Sequence, residues 1–118
     1  MLASSRSFDR HVRQVVQLLL TSGSLDVRMV AHTVRTSPRT LQRRLHGLGL
    51  TFAGVVQQAR QAAAQRMLAE PGRKIGDVAQ ALGYSDPAHF TRAFRRWTGT
   101  TPMEFRRARD ANAGPRRA

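Results

Sequence analysis

The sequence contains no cysteine and only one lysine, Lys74, among its 118 residues. Without cysteine the chain has no disulfide scaffold, no thiolate nucleophile and no zinc site with cysteine ligands. None of the 4 histidines has a second histidine at metal-binding spacing, and no glycine cluster is typical of a nucleotide-binding loop. We therefore expect no metal and no other cofactor. No acid–base pair indicates catalysis, so the sequence does not predict an enzyme.

Long apolar runs are absent too. The longest, Val15 to Leu20, is interrupted by Gln17 and is far shorter than the ~20 residues that span a bilayer. Residues 1–7 are polar and lack the pattern of a secretory signal. These features predict a cytoplasmic chain with no membrane partner.

Acidic residues are scarce relative to basic ones. Asp and Glu number 7 against 20 Lys and Arg, which gives a net charge of +13 and an isoelectric point near 12.0. A chain so basic attracts polyanions, and nucleic acid is the expected partner.

Apolar residues recur at the three- and four-residue steps of an α-helix, and the alternation typical of strands is absent. Ser37-Pro38 and Asp86-Pro87 are helix starts, and Gly49 and Gly99 are helix stops. The sequence thus predicts an all-α fold of about seven helices. Their expected ranges are 8–20, 26–34, 38 to a stop near Gly47 and Gly49, 52–69, 75–82, 87 to a stop at Gly99, and 102–109.

The chain contains an internal repeat. Its matching pairs are Val30-Ala31 with Val78-Ala79, Ser37 with Ser85, Leu41 with Phe90, Arg43 with Arg92, Leu45 with Phe94, Gly49 with Gly99 and Thr51 with Thr101. Each copy consists of a short helix, a tight turn and a longer helix, which is a helix-turn-helix. The expected organisation is an N-terminal segment and helix over 1–24, one helix-turn-helix over 25–50, a linker helix over 51–70, a second helix-turn-helix with a closing helix over 71–109, and a disordered tail over 110–118.

The second helix of each copy has a basic outer face. In the first copy Arg39, Gln42, Arg43 and His46 lie opposite the apolar positions, and in the second His89, Arg92 and Arg96 do so, with Arg95 beside them. Guanidinium and carboxamide groups can make paired hydrogen bonds to guanine and adenine in the major groove. A solvated basic face is the simpler alternative, but finding the same layout twice favours DNA binding.

The linker helix suggests how the copies cooperate. Residues 52–69 would form a rod roughly 25–28 Å long, and successive major grooves on one face of a duplex lie ~34 Å apart. We therefore expect the two reading helices to enter adjacent grooves of an asymmetric, bipartite site.

The second copy carries a family resemblance. Its V-A pair, G-Y-S, F-T-R-A-F-R-R, G-T-T-P and closing F-R, between Ile75 and Arg107, resemble the DNA-binding domain of AraC/XylS-type bacterial transcription regulators. The first copy is similar to that family's more variable first motif, so the resemblance covers about residues 25–107. It implies seven helices, two helix-turn-helix subdomains and a rigid connecting helix. The function it implies is transcription regulation, with activation expected and RNA polymerase as a possible further partner.

The resemblance also implies roles for individual residues. Expected base contacts are Arg39, Gln42, Arg43, His89 and Arg92. Expected contacts to the DNA backbone are Ser37, Thr40, Arg44, His46, Thr91, Arg95 and Arg96.

The sequence departs from the family pattern at two places. Pro87 and Ala88 stand where a polar base-reading residue could be. The second helix is therefore expected to contribute less base specificity and more phosphate anchoring. Arg35 stands where the second copy has Gly83, and arginine is costly there if the backbone is left-handed.

The alternative function is a non-specific or architectural nucleic-acid binder. Residues 1–24 are too few for the effector-binding or dimerising domain that most family members carry, so the chain is either a stand-alone member or a fragment.

Overall fold

The computed structural model describes the backbone of residues 3–23 and 25–113 and the side chains of 7–23 and 25–112. These described residues form helices and connecting turns, with no strand. The helices are α1 (Ala3–Ser22), α2 (Val27–Thr33), α3 (Pro38–Gly47), α4 (Phe52–Leu68), α5 (Ile75–Ala81), α6 (Pro87–Thr98) and α7 (Pro102–Ala113). The prediction of an all-α fold with seven helices is confirmed.

The chain divides within α4 into two compact units, residues 1–60 and 61–118. In the first unit, α1 packs on α2 and α2 on α3. Its apolar stripes meet in a core of buried side chains: Val12, Val15, Val16, Leu20, Val30, Ala31, Leu41, Leu45, Val55 and Ala59. The Arg13 guanidinium joins α1 to α4, because it donates to Gln58 Oε1 at 2.6 Å as well as to Asp9 Oδ1 at 2.7 Å.

The second unit has an aromatic core. The centroid of the Phe94 ring lies 5.9 Å from that of Phe90, 6.3 Å from that of Trp97 and 5.5 Å from that of Phe105, and the rings are tilted or edge-on to one another. Tyr84 extends the cluster, 5.5 Å from Phe90. Such tilted pairs add to the stabilisation from burying the rings. Within this unit, α5 and α7 both pack on α6.

Most helix bounds match the prediction, and the ends of the chain differ. Residues 3–7, expected in a polar leader, belong to α1, and residues 110–113, expected in a disordered tail, continue α7. Residues 1, 2, 24 and 114–118 of the predicted segments lie outside the described residues.

Within residues 3–23 and 25–113, no helix is long and apolar enough to cross a membrane. The same part of the chain contains no group of three or more side chains able to hold a metal ion.

Candidate nucleic-acid interface

The first helix-turn-helix copy, α2 and α3, is organised by its turn. The amide of Val34 donates to the carbonyl of Val30 at 3.0 Å, that of Arg35 to His32 at 3.0 Å, and that of Thr36 to Ala31 at 2.8 Å. The last of these bonds spans six residues and is the mark of a Schellman helix end. That motif requires a left-handed residue, and here it is Arg35, with a φ of 63°.

The second copy, α5 and α6, repeats this turn. The amides of Leu82, Gly83 and Tyr84 donate to the carbonyls of Val78, Gln80 and Ala79 at 3.1, 3.0 and 2.9 Å. Gly83 occupies the left-handed position with a φ of 92°. The turns are therefore built alike, and Arg35 takes a conformation in which glycine is unstrained.

Both reading helices, α3 and α6, begin with a side-chain cap followed by proline. The Ser37 hydroxyl accepts from the Thr40 amide at 3.1 Å, and the Asp86 carboxylate accepts from the Ala88 amide at 2.9 Å. The sequence comparison paired Ser37 with Ser85, but the residue with its capping role is Asp86, so Ser85 is the extra residue of the second turn. The first cap is neutral and the second is anionic.

The outer face of α3 presents the residues expected to read bases. Arg39, Gln42 and Arg43 are exposed, as is His46, while Leu41 and Leu45 are fully buried on the opposite face. The spacing of these exposed side chains places them on one side of the helix. Of the expected backbone contacts near the start of α3, Ser37 is exposed and Thr40 is half-buried.

Arg44 is placed differently from its neighbours. Its guanidinium carbon lies 3.7 Å from the centroid of the Phe8 ring, a close cation–π contact between α3 and α1. Phe8 is buried and Arg44 is exposed, so one face of the guanidinium covers the ring. Its N–H groups lie in the guanidinium plane, which leaves their donor directions compatible with a phosphate contact.

The outer face of α6 carries a similar set of side chains. His89, Arg92, Arg95 and Arg96 are exposed, Thr91 is half-buried, and Phe90 and Phe94 are fully buried on the inner face. His89 Nε2 lies 3.9 Å from Asp86 Oδ2. A carboxylate therefore stands at the start of α6, beside the first of its expected base-reading residues.

Acidic residues are distributed unevenly around the two copies. No Asp or Glu occurs in the sequence between Asp26 and Glu70, a stretch that includes α3 and the turn before it. The second copy has Asp77 in α5 and Asp86 at the start of α6. The sequence around α3, from residue 27 to residue 69, thus has no carboxylate that would repel a phosphate.

A capping box at the start of α7 was missed at the sequence level. The Thr101 amide donates to Glu104 Oε1 at 2.9 Å and the Glu104 amide donates to Thr101 Oγ1 at 3.1 Å. These bonds lower the pKa of Glu104, helped by the charges of Arg95 and Arg107. The T-x-x-E spacing was available in the sequence as a signal. The Arg44–Phe8 contact had no local signal, because it joins residues distant along the chain.

A family model described as a helix-turn-helix domain matches residues 30–108, which contain both copies and the helix between them. Among curated relatives, the chain is 36% identical over 105 residues to the HTH-type transcriptional regulator VirS of Mycobacterium tuberculosis. That match covers 89% of this chain and 31% of VirS. The chain therefore spans about a third of that relative's length.

Solved structures share the fold. An AraC-type transcriptional regulator from Chromobacterium violaceum matches with a TM-score of 0.80 and 24% identity, over 97% of this chain and 99% of that one. The DNA-binding domain of AdpA, solved in complex with a target DNA, matches with a TM-score of 0.71 and 27% identity, over 89% and 94% of the two chains.

Proposed function

Because the chain belongs to the AraC-type family of helix-turn-helix transcription regulators, we propose that it binds double-stranded DNA at a preferred sequence. The outer face of α3 carries this proposal. Arg39, Gln42 and Arg43 are exposed together on it, behind a neutral cap and in an acid-free stretch of chain. Guanidinium groups suit guanine and the glutamine amide suits adenine in the major groove.

The second reading helix, α6, serves mainly as an anchor in this proposal. Its first turn contains Pro87 and Ala88, which cannot donate side-chain hydrogen bonds, and it follows the anionic cap Asp86. His89 and Arg92 are its base-contacting residues. Arg95 and Arg96, one turn further along, bind phosphate.

Contacts to the DNA backbone complete the interface. We assign them to residues whose groups can donate to phosphate oxygens and that flank the base-reading positions. Besides Arg95 and Arg96 they are Ser37, Thr40, Arg44, His46 and Thr91.

The site read by the protein is bipartite and asymmetric. The supporting observation is the presence of two helix-turn-helix copies in one chain, α2–α3 and α5–α6. We propose that their reading helices enter adjacent major grooves, ~34 Å apart. The side chains on α3 and α6 differ, so the two half-sites differ in sequence.

The test compares two arginine variants in competition with excess random DNA. Arg43→Ala should weaken binding to the preferred site by ~1–3 kcal/mol and relax the preference at one base pair. Arg95→Ala is the matched control, since it removes the same side chain from a proposed phosphate contact. It should weaken all sequences about equally and reduce the salt dependence.

The alternative is a non-specific or architectural binder. It would retain no preferred site in excess random DNA, and its Arg43→Ala and Arg95→Ala variants would behave alike. Either result would contradict the assignment of α3 as the reading helix.

Activation of transcription, with RNA polymerase as a partner, is the further step of the proposal, in a cytoplasmic protein without catalytic activity of its own. Transcription in vitro from a template carrying the preferred site should increase when the protein is added. A decrease would identify a repressor.

A further inference from the structure

The turn of the first copy contains a residue that the contacts within the fold do not explain. Arg35 has a φ of 63°, and it is the one described residue other than glycine with a positive φ. A side chain with a Cβ destabilises the backbone in this left-handed region. Asparagine and glycine are the residues that tolerate it.

Nothing around Arg35 within the fold compensates for that cost. Its side chain is exposed, and among the described residues it has no ion pair and no side-chain hydrogen bond. It lies between the C-terminus of α2, where the helix dipole favours a cation, and the N-terminus of α3, where the dipole disfavours one, so the two helices do not account for an arginine here. The backbone conformation opposes an arginine at this position, and no contact among the described residues offsets that cost.

The second copy shows that the turn itself does not need this residue. Gly83 supports the same three backbone hydrogen bonds with a φ of 92°. At the left-handed position itself, the first turn thus differs from the second in having a long cationic side chain, two residues before the cap of α3. Strained residues persist where they serve a site, and such strain is a reason to look for a ligand.

A polyanion is a partner whose binding would offset that conformational cost. In a helix-turn-helix complex the start of the reading helix enters the major groove, so the turn that precedes it lies at the groove edge, among the phosphates. We propose that Arg35 binds a phosphate of the DNA backbone and contributes affinity without reading sequence. This inference deepens the proposed function, because it rests on α3 being the helix in the groove.

The experiment pairs a stability measurement with a salt titration. Arg35→Asn and Arg35→Gly both relieve the left-handed strain and remove the positive charge. Arg35→Lys keeps the strain and the charge. The first two variants should raise the thermal midpoint by a few degrees and lower the slope of log affinity against log salt by about 0.9. Arg35→Lys should keep the wild-type slope.

The lowered slope also sets the size of the effect on affinity. When the salt concentration rises from 50 to 200 mM, the affinity of every variant falls. Because the Asn and Gly variants lack one phosphate contact, the factor by which their affinity falls should be about 3.5 times smaller than that of the wild type. The preferred sequence should stay the same in all three variants.

Three results would overturn the proposal. An unchanged slope in the Asn and Gly variants would show that Arg35 does not bind phosphate. A lower thermal midpoint in both would show that the arginine is held by a stabilising contact within the protein. A changed preferred sequence would identify a base contact. Because the slope can be measured on random-sequence DNA, it remains a test even if the wild type shows no preferred site.

Discussion

The first helix-turn-helix copy has arginine at the left-handed position of its turn and a neutral serine cap, whereas the second has Gly83 and the carboxylate of Asp86. The cores differ as well. The first copy packs aliphatic side chains around Leu41 and Leu45, and the second packs an aromatic cluster around Phe94.

The two copies thus share one order of helices and turn but differ in the residues that form the turn, the cap and the core. The second copy has glycine at the left-handed position of its turn and an anionic cap at a helix N-terminus, and both are favourable choices. The first copy has a strained arginine in its turn and no acidic residue in the sequence from residue 27 to residue 69. We therefore expect the two copies to differ both in local stability and in how they contact DNA.

The largest expected effect concerns the aromatic core. Phe94→Ala removes a fully buried ring that contacts three other rings and should lower the free energy of unfolding by about 3–5 kcal/mol. Denaturant titration measures this loss. Met103→Ala on α7 is the control, because its side chain is 57% exposed, and it should change stability by less than about 0.5 kcal/mol. Equal effects of the two substitutions would show that the cluster does not hold the second unit together.

The next effect tests the turn of the second copy. Gly83→Ala introduces a Cβ at a positive φ and should destabilise the protein by about 1–2 kcal/mol. Gly47→Ala, made inside α3 where φ is not positive and a Cβ would meet no atom within 4 Å, should be neutral or stabilising. Thermal unfolding of both variants compares the positions, and a harmless Gly83→Ala would remove the stability difference claimed between the turns.

A smaller effect is expected from changing the charge of the first cap. Ser37→Asp keeps a good helix cap but places a carboxylate where we propose a phosphate approaches. DNA affinity should fall by about 1 kcal/mol, the Coulomb energy of two unit charges ~4 Å apart in water. Ser37→Asn caps equally well without charge and should bind more tightly than Ser37→Asp. Equal affinity of the two variants would mean that the start of α3 does not approach the backbone.

The smallest effect concerns the capping box of α7. Hydrogen bonds from Thr101 lower the pKa of Glu104 below its ordinary value of 4.5. The charged form is therefore favoured by folding, and the stability it contributes above that value is lost as the pH falls through the lower, folded pKa. Glu104→Gln keeps an acceptor for the Thr101 amide and removes the titration. Its unfolding free energy should decrease less than the wild type's between neutral and acidic pH, and parallel pH profiles would refute the assignment.

The sequence predicted the helices well because their ends have local chemical causes. Helix starts are set by side-chain caps and by the fixed φ of proline, at Ser37-Pro38, Asp86-Pro87 and Thr51. Helix ends are set by glycines with positive φ, Gly49 and Gly99. The start of α1 was placed too late because residues 3–7 lack an apolar stripe, although the helix continues through them.

Contacts between distant residues were beyond the reach of the sequence patterns. The stacking of Arg44 on Phe8 depends on how α1 packs against α3. The sequence predicted strain at Arg35 only if its backbone were left-handed, because a single sequence does not determine the conformation of that turn. The structure gives Arg35 a positive φ. The assignments of individual side chains to bases and phosphates stay predictions.

Selection of bound sites from a random oligonucleotide pool tests the division of labour most directly. For the wild type we predict one half-site with strongly preferred bases and a second, weaker one about one helical turn away. In the Arg43→Ala protein a base preference should be lost from the strong half-site alone. Two equally specific half-sites, or a strong half-site unaffected by Arg43→Ala, would contradict the account.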